Sequence, residues 1–146
     1  MSRLISIPGI LFAAFAGLAV QPAVAETPSQ ILASVESSAK AAPGFKGFSA
    51  ARGEQFFRTT HGNDWSCASC HTDNPAATGK HAKTNKVIQP LAPSANPERV
   101  TDPAKVAKWF KRNCNDVLGR VCTPQEQGDV LVYLLGIKKW GGHHVV

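Results

Sequence analysis

Cys67-Ala68-Ser69-Cys70-His71 decides how the rest of this 146-residue chain is read. Cys-x-x-Cys-His is the attachment signature of a c-type haem. Each thiol adds across one vinyl group, and the two-residue spacer lets both sulfurs reach neighbouring vinyls. The histidine that follows turns beneath the ring and offers an imidazole nitrogen to the iron. Cys-x-x-Cys without the histidine is shared with thioredoxin-like redox pairs and zinc knuckles. The added His71, and the lack of a second Cys/His cluster to complete a zinc site, select haem. Cys67 and Cys70 are therefore the expected thioether residues and His71 the first axial ligand, with one covalent haem c and its iron as the cofactor.

The chain begins as an export signal does. A positive start at Arg3 leads into an almost wholly apolar run over residues 4–20, and Ala23-Val24-Ala25 supplies small residues for cleavage. The run contains Pro8, Gly9 and Gly17 and falls short of the roughly 20 residues a membrane span needs. Residues 1–25 are expected to be a cleaved signal peptide, and 26–146 a periplasmic domain with no membrane span. That compartment suits thioether attachment and tolerates disulfides. A mature domain this small gains much of its core from a buried haem.

The formal charge of +6 falls by one when Arg3 leaves. Lys80, Lys83 and Lys86 form the densest basic run and have no interleaved aromatics, which argues against nucleic acid and leaves room for an acidic redox partner. Thr27-Pro28 reads as a cap with proline at the first helical position, followed by an apolar stripe at Ile31, Leu32, Val35 and Ala39. Ser49 caps a helix over residues 50–59, in which Phe56 and Phe57 pack and Gly53 permits close approach by another helix. Residues 72–100 show no period, and without a haem to wrap so long a loop would be unusual. Val87, Ile88, Leu91 and Ala92 are its candidates for covering the ring, and the Pro90 carbonyl is the candidate acceptor for the His71 Nδ1 hydrogen. Asp102-Pro103 starts a helix expected to end near Asn113. Thr123-Pro124-Gln125-Glu126 is a capping box that opens a last helix burying Val130, Leu131, Leu134 and Leu135, closed by Gly136. Residues 138–146, with His143 and His144, read as a frayed tail. With no strand signals, the expected fold is all-α, a small class I cytochrome c-like fold around one covalent haem.

The second axial position is the informative one. Simple electron carriers fill it with a methionine sulfur, but the sole methionine is Met1, which leaves with the leader. His61, His81, His143, His144, a lysine, an oxygen ligand, water or no ligand remain. Cys114 and Cys122, the two cysteines outside the haem motif, are by default a disulfide in an oxidising compartment. Closing that short loop contributes about 2–3 kcal/mol by chain entropy. On the residues alone, Asn113 reads as a helix C-cap.

Three further segments change that reading. Pro90-Leu91-Ala92-Pro93-Ser94, Arg112-Asn113-Cys114-Asn115 and Gly119-Arg120-Val121-Cys122-Thr123-Pro124 resemble the sphaeroides haem protein family, as do the haem motif and Arg52-Gly53. The resemblance implies a class I-like cytochrome c in which the asparagine before the first disulfide cysteine binds iron, here Asn113, with Cys114–Cys122 as the bridge. It further implies reversible binding of oxygen or nitric oxide, and electron input from a multihaem or membrane-bound cytochrome. An amide oxygen is a hard, weak donor that suits ferric better than ferrous iron, so reduction is expected to release Asn113 and admit a diatomic gas. A plain electron shuttle is the alternative. An oxidoreductase such as a nitric oxide dioxygenase is a further one, resting on the open iron alone because no acid–base pair can be read beside a pocket.

Overall fold

The computed structural model describes residues 25–138, so the leader, the tail and its His143 and His144 lie outside the described residues. Five helices and one minimal hairpin follow in order: α1 (Pro28–Lys40), α2 (Ala50–Arg58), α3 (Ala68–His71), β1 (Gly79–Lys80), β2 (Val87–Ile88), α4 (Pro103–Leu118) and α5 (Pro124–Gly136). The capping chemistry read from the sequence sets the starts. Thr27, Ser49, Asp102 and Thr123 each take an extended backbone and accept an N–H from the first helical turn. At α1 and α5 the reciprocal bond completes a capping box, through Gln30 and Glu126. Glu126 also receives both terminal nitrogens of Arg120 at 2.8 and 2.7 Å. Those bonds hold its carboxyl below the usual glutamate range.

α2 and α5 cross in close contact, and α1 packs on α5. Gly53 makes the crossing possible: a Cβ there would run into the Asp129 carbonyl of α5. The same junction carries the buried carboxylate of Asp129, 5% exposed. It accepts the Ser49 N–H at 2.7 Å, Arg52 Nε at 2.8 Å, Arg52 Nη2 at 2.9 Å and Gln125 Nε2 at 3.0 Å. A buried charge persists where its lone pairs are filled in this way. Phe57, fully buried, forms the core with Val130 and Leu134.

Two expectations need correction. The helix begun at Pro103 does not stop at Asn113 but runs to Leu118, where Gly119 takes the left-handed conformation (φ 69°) that ends it. Asn113 therefore lies inside a helix and is not its cap, and Cys114 is helical too. Nor are strands wholly missing: β1 and β2 pair antiparallel, Gly79 opposite Ile88 and Lys80 opposite Val87. The hairpin gives partial order to the stretch read as irregular. The fold is otherwise the helical one expected.

Candidate haem site

α3 is a single turn that places Cys67 at its N-cap, with Cys70 and His71 at its C-terminal end. Both thiols are free. Burial pushes the Cys67 thiol up to about 11, unlike the low-pKa thiolate of a disulfide oxidoreductase. Among the described residues no group of three or more metal-ligating side chains gathers that could hold zinc. Burial first, and the charge of Arg99 second, bring His71 down to about 4, so its imidazole is neutral at pH 7. Two free thiols and a neutral imidazole on one turn are the donor set a covalent haem requires.

The surroundings fit a flat apolar macrocycle. Cys67, Ala68, Leu91 and Phe110 all pack on the Phe57–Val130–Leu134 cluster, so the motif, the long loop and α4 converge there. The Phe57 ring centroid is 6.3 Å from that of His71. β1 closes on the motif from behind, for a Cβ at Gly79 would strike the Cys70 carbonyl. α4 reaches the other helices through the Phe110 side chain and not through close backbone approach. Val87 is 68% exposed and Trp109 45%. The Ser94 hydroxyl is buried without a hydrogen-bond partner among the described residues.

Pro90 is positioned by contacts the sequence did not suggest. Its carbonyl accepts Arg99 Nε at 3.0 Å and Asn96 Nδ2 at 3.3 Å, while Arg99 Nη2 donates to the Gln89 carbonyl at 3.0 Å. Arg99 thus ties down the Pro90 segment, and no periodic signal marks it in the sequence.

On α4, Val106, Phe110, Asn113, Cys114 and Val117 form the inward stripe, half-buried or buried, and Asn113 is its one hydrogen-bonding side chain. Cys114 is disulfide-bonded to Cys122 with Cα atoms 5.5 Å apart, which ties α4 to the approach to α5. Asn63 Nδ2 donates to the Val117 carbonyl at 2.8 Å and fixes the turn before the motif to the same helix. Among the described residues the Asn113 amide has no hydrogen-bond partner. His61 lies tilted against Phe56, with ring centroids 4.3 Å apart, and its Nε2 donates to the Phe56 carbonyl at 2.9 Å. His81 Nδ1 accepts the backbone N–H groups of Lys83 and Thr84 at 3.3 and 3.2 Å, so its neutral ring carries the hydrogen on Nε2.

Known proteins share this arrangement. The chain is 43% identical over 131 residues to cytochrome c-type protein SHP of Cereibacter sphaeroides, covering 86% of this chain and 94% of SHP. It belongs to the SHP family of c-type cytochromes. A family model described as a domain of unknown function (DUF1924) matches residues 43–134. Cytochrome c'' of Methylophilus methylotrophus is 49% identical over 79 residues, which are 54% of this chain and 55% of that protein. The solved structure of oxidised SHP, described as an oxygen-binding cytochrome c, matches with a TM-score of 0.66. It is 42% identical and covers 75% of this chain and 96% of that one. Oxidised cytochrome c'' matches equally well at 0.66 and 38% identity, over 77% and 95% of the two chains. Membership in the SHP family makes this chain a periplasmic c-type cytochrome with a single covalent haem c, in a class I-like helical fold.

Proposed function

We propose that this SHP-family cytochrome carries single electrons and, when reduced, takes up a diatomic gas, oxygen or nitric oxide, with Asn113 as the residue that opens and closes the site. Residues 26–146 are the mature domain, freed of the leader at 1–25. When bound, the haem iron supplies the one-electron couple and the coordination position. Cys67 and Cys70 anchor the macrocycle as thioethers, and His71 gives the permanent axial nitrogen. The Pro90 carbonyl already accepts Arg99 Nε and Asn96 Nδ2, so its proposed role as acceptor of the His71 Nδ1 hydrogen requires one of those donors to yield.

The observation that carries this reading is the unpartnered amide of Asn113 on the inward stripe of α4, one residue before a disulfide that fixes the helix. Its oxygen holds the ferric state weakly. If reduction releases Asn113, its freed amide N–H would donate a hydrogen bond to the incoming ligand. A multihaem or membrane-bound cytochrome is the proposed electron source. The rival reading is a plain electron carrier in which His81, turned to the opposite tautomer, keeps the position closed in both states.

Carbon monoxide separates the two. The reduced protein is expected to bind it fully, with the Soret band shifting as the gas is added. A ferrous spectrum indifferent to saturating carbon monoxide would leave the plain carrier as the function.

A further inference from the structure

The outer face of α4 turns away from Asn113, and the helix carries about half of the chain's net positive charge. Lys105, Lys108, Lys111 and Arg112 stand on this helix against a single acid, Asp116. Lys105 is tied to Asp102 at 3.4 Å. Among the described residues no carboxylate pairs with Lys108, Lys111 or Arg112. Those three exposed side chains, with Asn115 and Val121, line one shallow depression. Val121 is 60% exposed and belongs to a different segment. It is brought to α4 by the disulfide of its neighbour Cys122 to Cys114. The Lys108 ammonium lies 5.9 Å from the Trp109 ring centroid and the Arg112 guanidinium 5.6 Å from it. Contact with the indole restricts both heads and lowers the entropy lost when they bind.

An exposed valine ringed by unpaired cations is the anatomy of a docking patch: an apolar centre, a charged rim, and a field that steers an oppositely charged partner. None of the lining cations is buried, so the depression suits a broad carboxylate-rich surface better than a small enclosed anion. The basic hairpin at Lys80, Lys83 and Lys86 is the competing patch. There Lys83 is likewise held over an indole, that of Trp65 at 4.6 Å, but the exposed apolar residue, Val87, belongs to the loop read as covering the haem.

We propose that the Lys108–Lys111–Arg112 face, centred on Val121, is where an acidic redox protein docks to deliver its electron. This rests on the electron-carrying role proposed above and specifies the partner's chemistry. One electron leaves the donor, which is oxidised, and the ferric haem takes it up to become ferrous.

The test uses oxidised holoprotein and two reductants followed by stopped flow: reduced flavodoxin, an acidic protein donor, and reduced lumiflavin, a small neutral one. With flavodoxin the wild-type rate constant is expected to fall roughly tenfold between about 0.01 and 0.3 M ionic strength. The variant Lys108→Glu/Lys111→Glu/Arg112→Glu is expected to lose at least about tenfold at low salt. Its lumiflavin rate and haem absorption should stay at wild-type values, as should both rates of Lys80→Glu/Lys83→Glu/Lys86→Glu. The proposal is overturned if the α4 variant keeps its flavodoxin rate within about twofold, or if the hairpin variant shows the loss instead. Retention on phosphatidylglycerol vesicles without any salt dependence toward flavodoxin would also overturn it, in favour of a membrane surface. Failure of lumiflavin to reduce the wild type would instead remove the electron-carrying role itself.

Discussion

Gly53→Ala is expected to destabilise the folded protein by roughly 3 kcal/mol, lowering the melting temperature by about 10 °C. The added methyl meets the Asp129 carbonyl of α5, not the yielding end of a side chain. Relief therefore requires α2 and α5 to separate, and that motion pulls on everything else at the junction. The four donors gathered on the Asp129 carboxylate lengthen together, and Phe57 loses contact with Val130 and Leu134. Gly136→Ala is the matching control. Nothing lies within 4 Å of a Cβ at that position, so the same exchange is expected to be neutral or to stabilise by about 0.5 kcal/mol through helix propensity. Thermal unfolding of the two variants followed by circular dichroism checks the pair. Equal melting temperatures would show that the helix crossing does not depend on Gly53.

Asn113→Ala is expected to raise the affinity of the ferric protein for added imidazole by about 10- to 100-fold, because an internal ligand that occupies the site reduces apparent affinity by the fraction of time it is bound. The ferrous affinity for carbon monoxide should change by less than about threefold, since a gate at Asn113 would already be open in that state. Stability should move by less than about 1 kcal/mol, alanine being the better helix former and the amide having no protein partner to leave behind. His61→Ala and His81→Ala serve as the comparison. Optical titration with imidazole measures all three. A tightened ferric affinity in His81→Ala, with Asn113→Ala unchanged, would transfer the ligand role to His81.

The parts of this molecule that depend on local chemistry were legible in the sequence. Cys67–His71 announces its cofactor through spacing alone, and the caps at Thr27, Ser49, Asp102 and Thr123 open helices where they are read. The end of α4 was not legible because Asn113 is as good a stop signal as any by propensity. The helix continues since the cost of an asparagine in its interior is only a few tenths of a kcal/mol. Its inward stripe and the Cys114–Cys122 bond outweigh that cost. The hairpin at 79–88 escaped because two-residue strands hold too few positions to show a period of two. Arg52–Asp129 joins residues 77 apart, and Arg99 reaches back to Pro90. No periodic pattern encodes either contact.

At the site the sequence alone left several ligands open. The motif at Cys67–His71 named one face of the iron, and the missing methionine emptied the usual candidate for the other. The structure places Asn113 inside α4, on its inward stripe, with its amide free of partners among the described residues. His61 is held by the Phe56 carbonyl. These placements support Asn113 as the gate and leave His81 as the rival to be tested.

The most direct measurement is resonance Raman spectroscopy of the wild-type holoprotein in both oxidation states, read at the spin- and coordination-marker bands. A gate at Asn113 predicts a six-coordinate ferric haem and a five-coordinate high-spin ferrous haem. Six-coordinate low-spin markers in both states would contradict it, because the distal ligand would then stay in place on reduction.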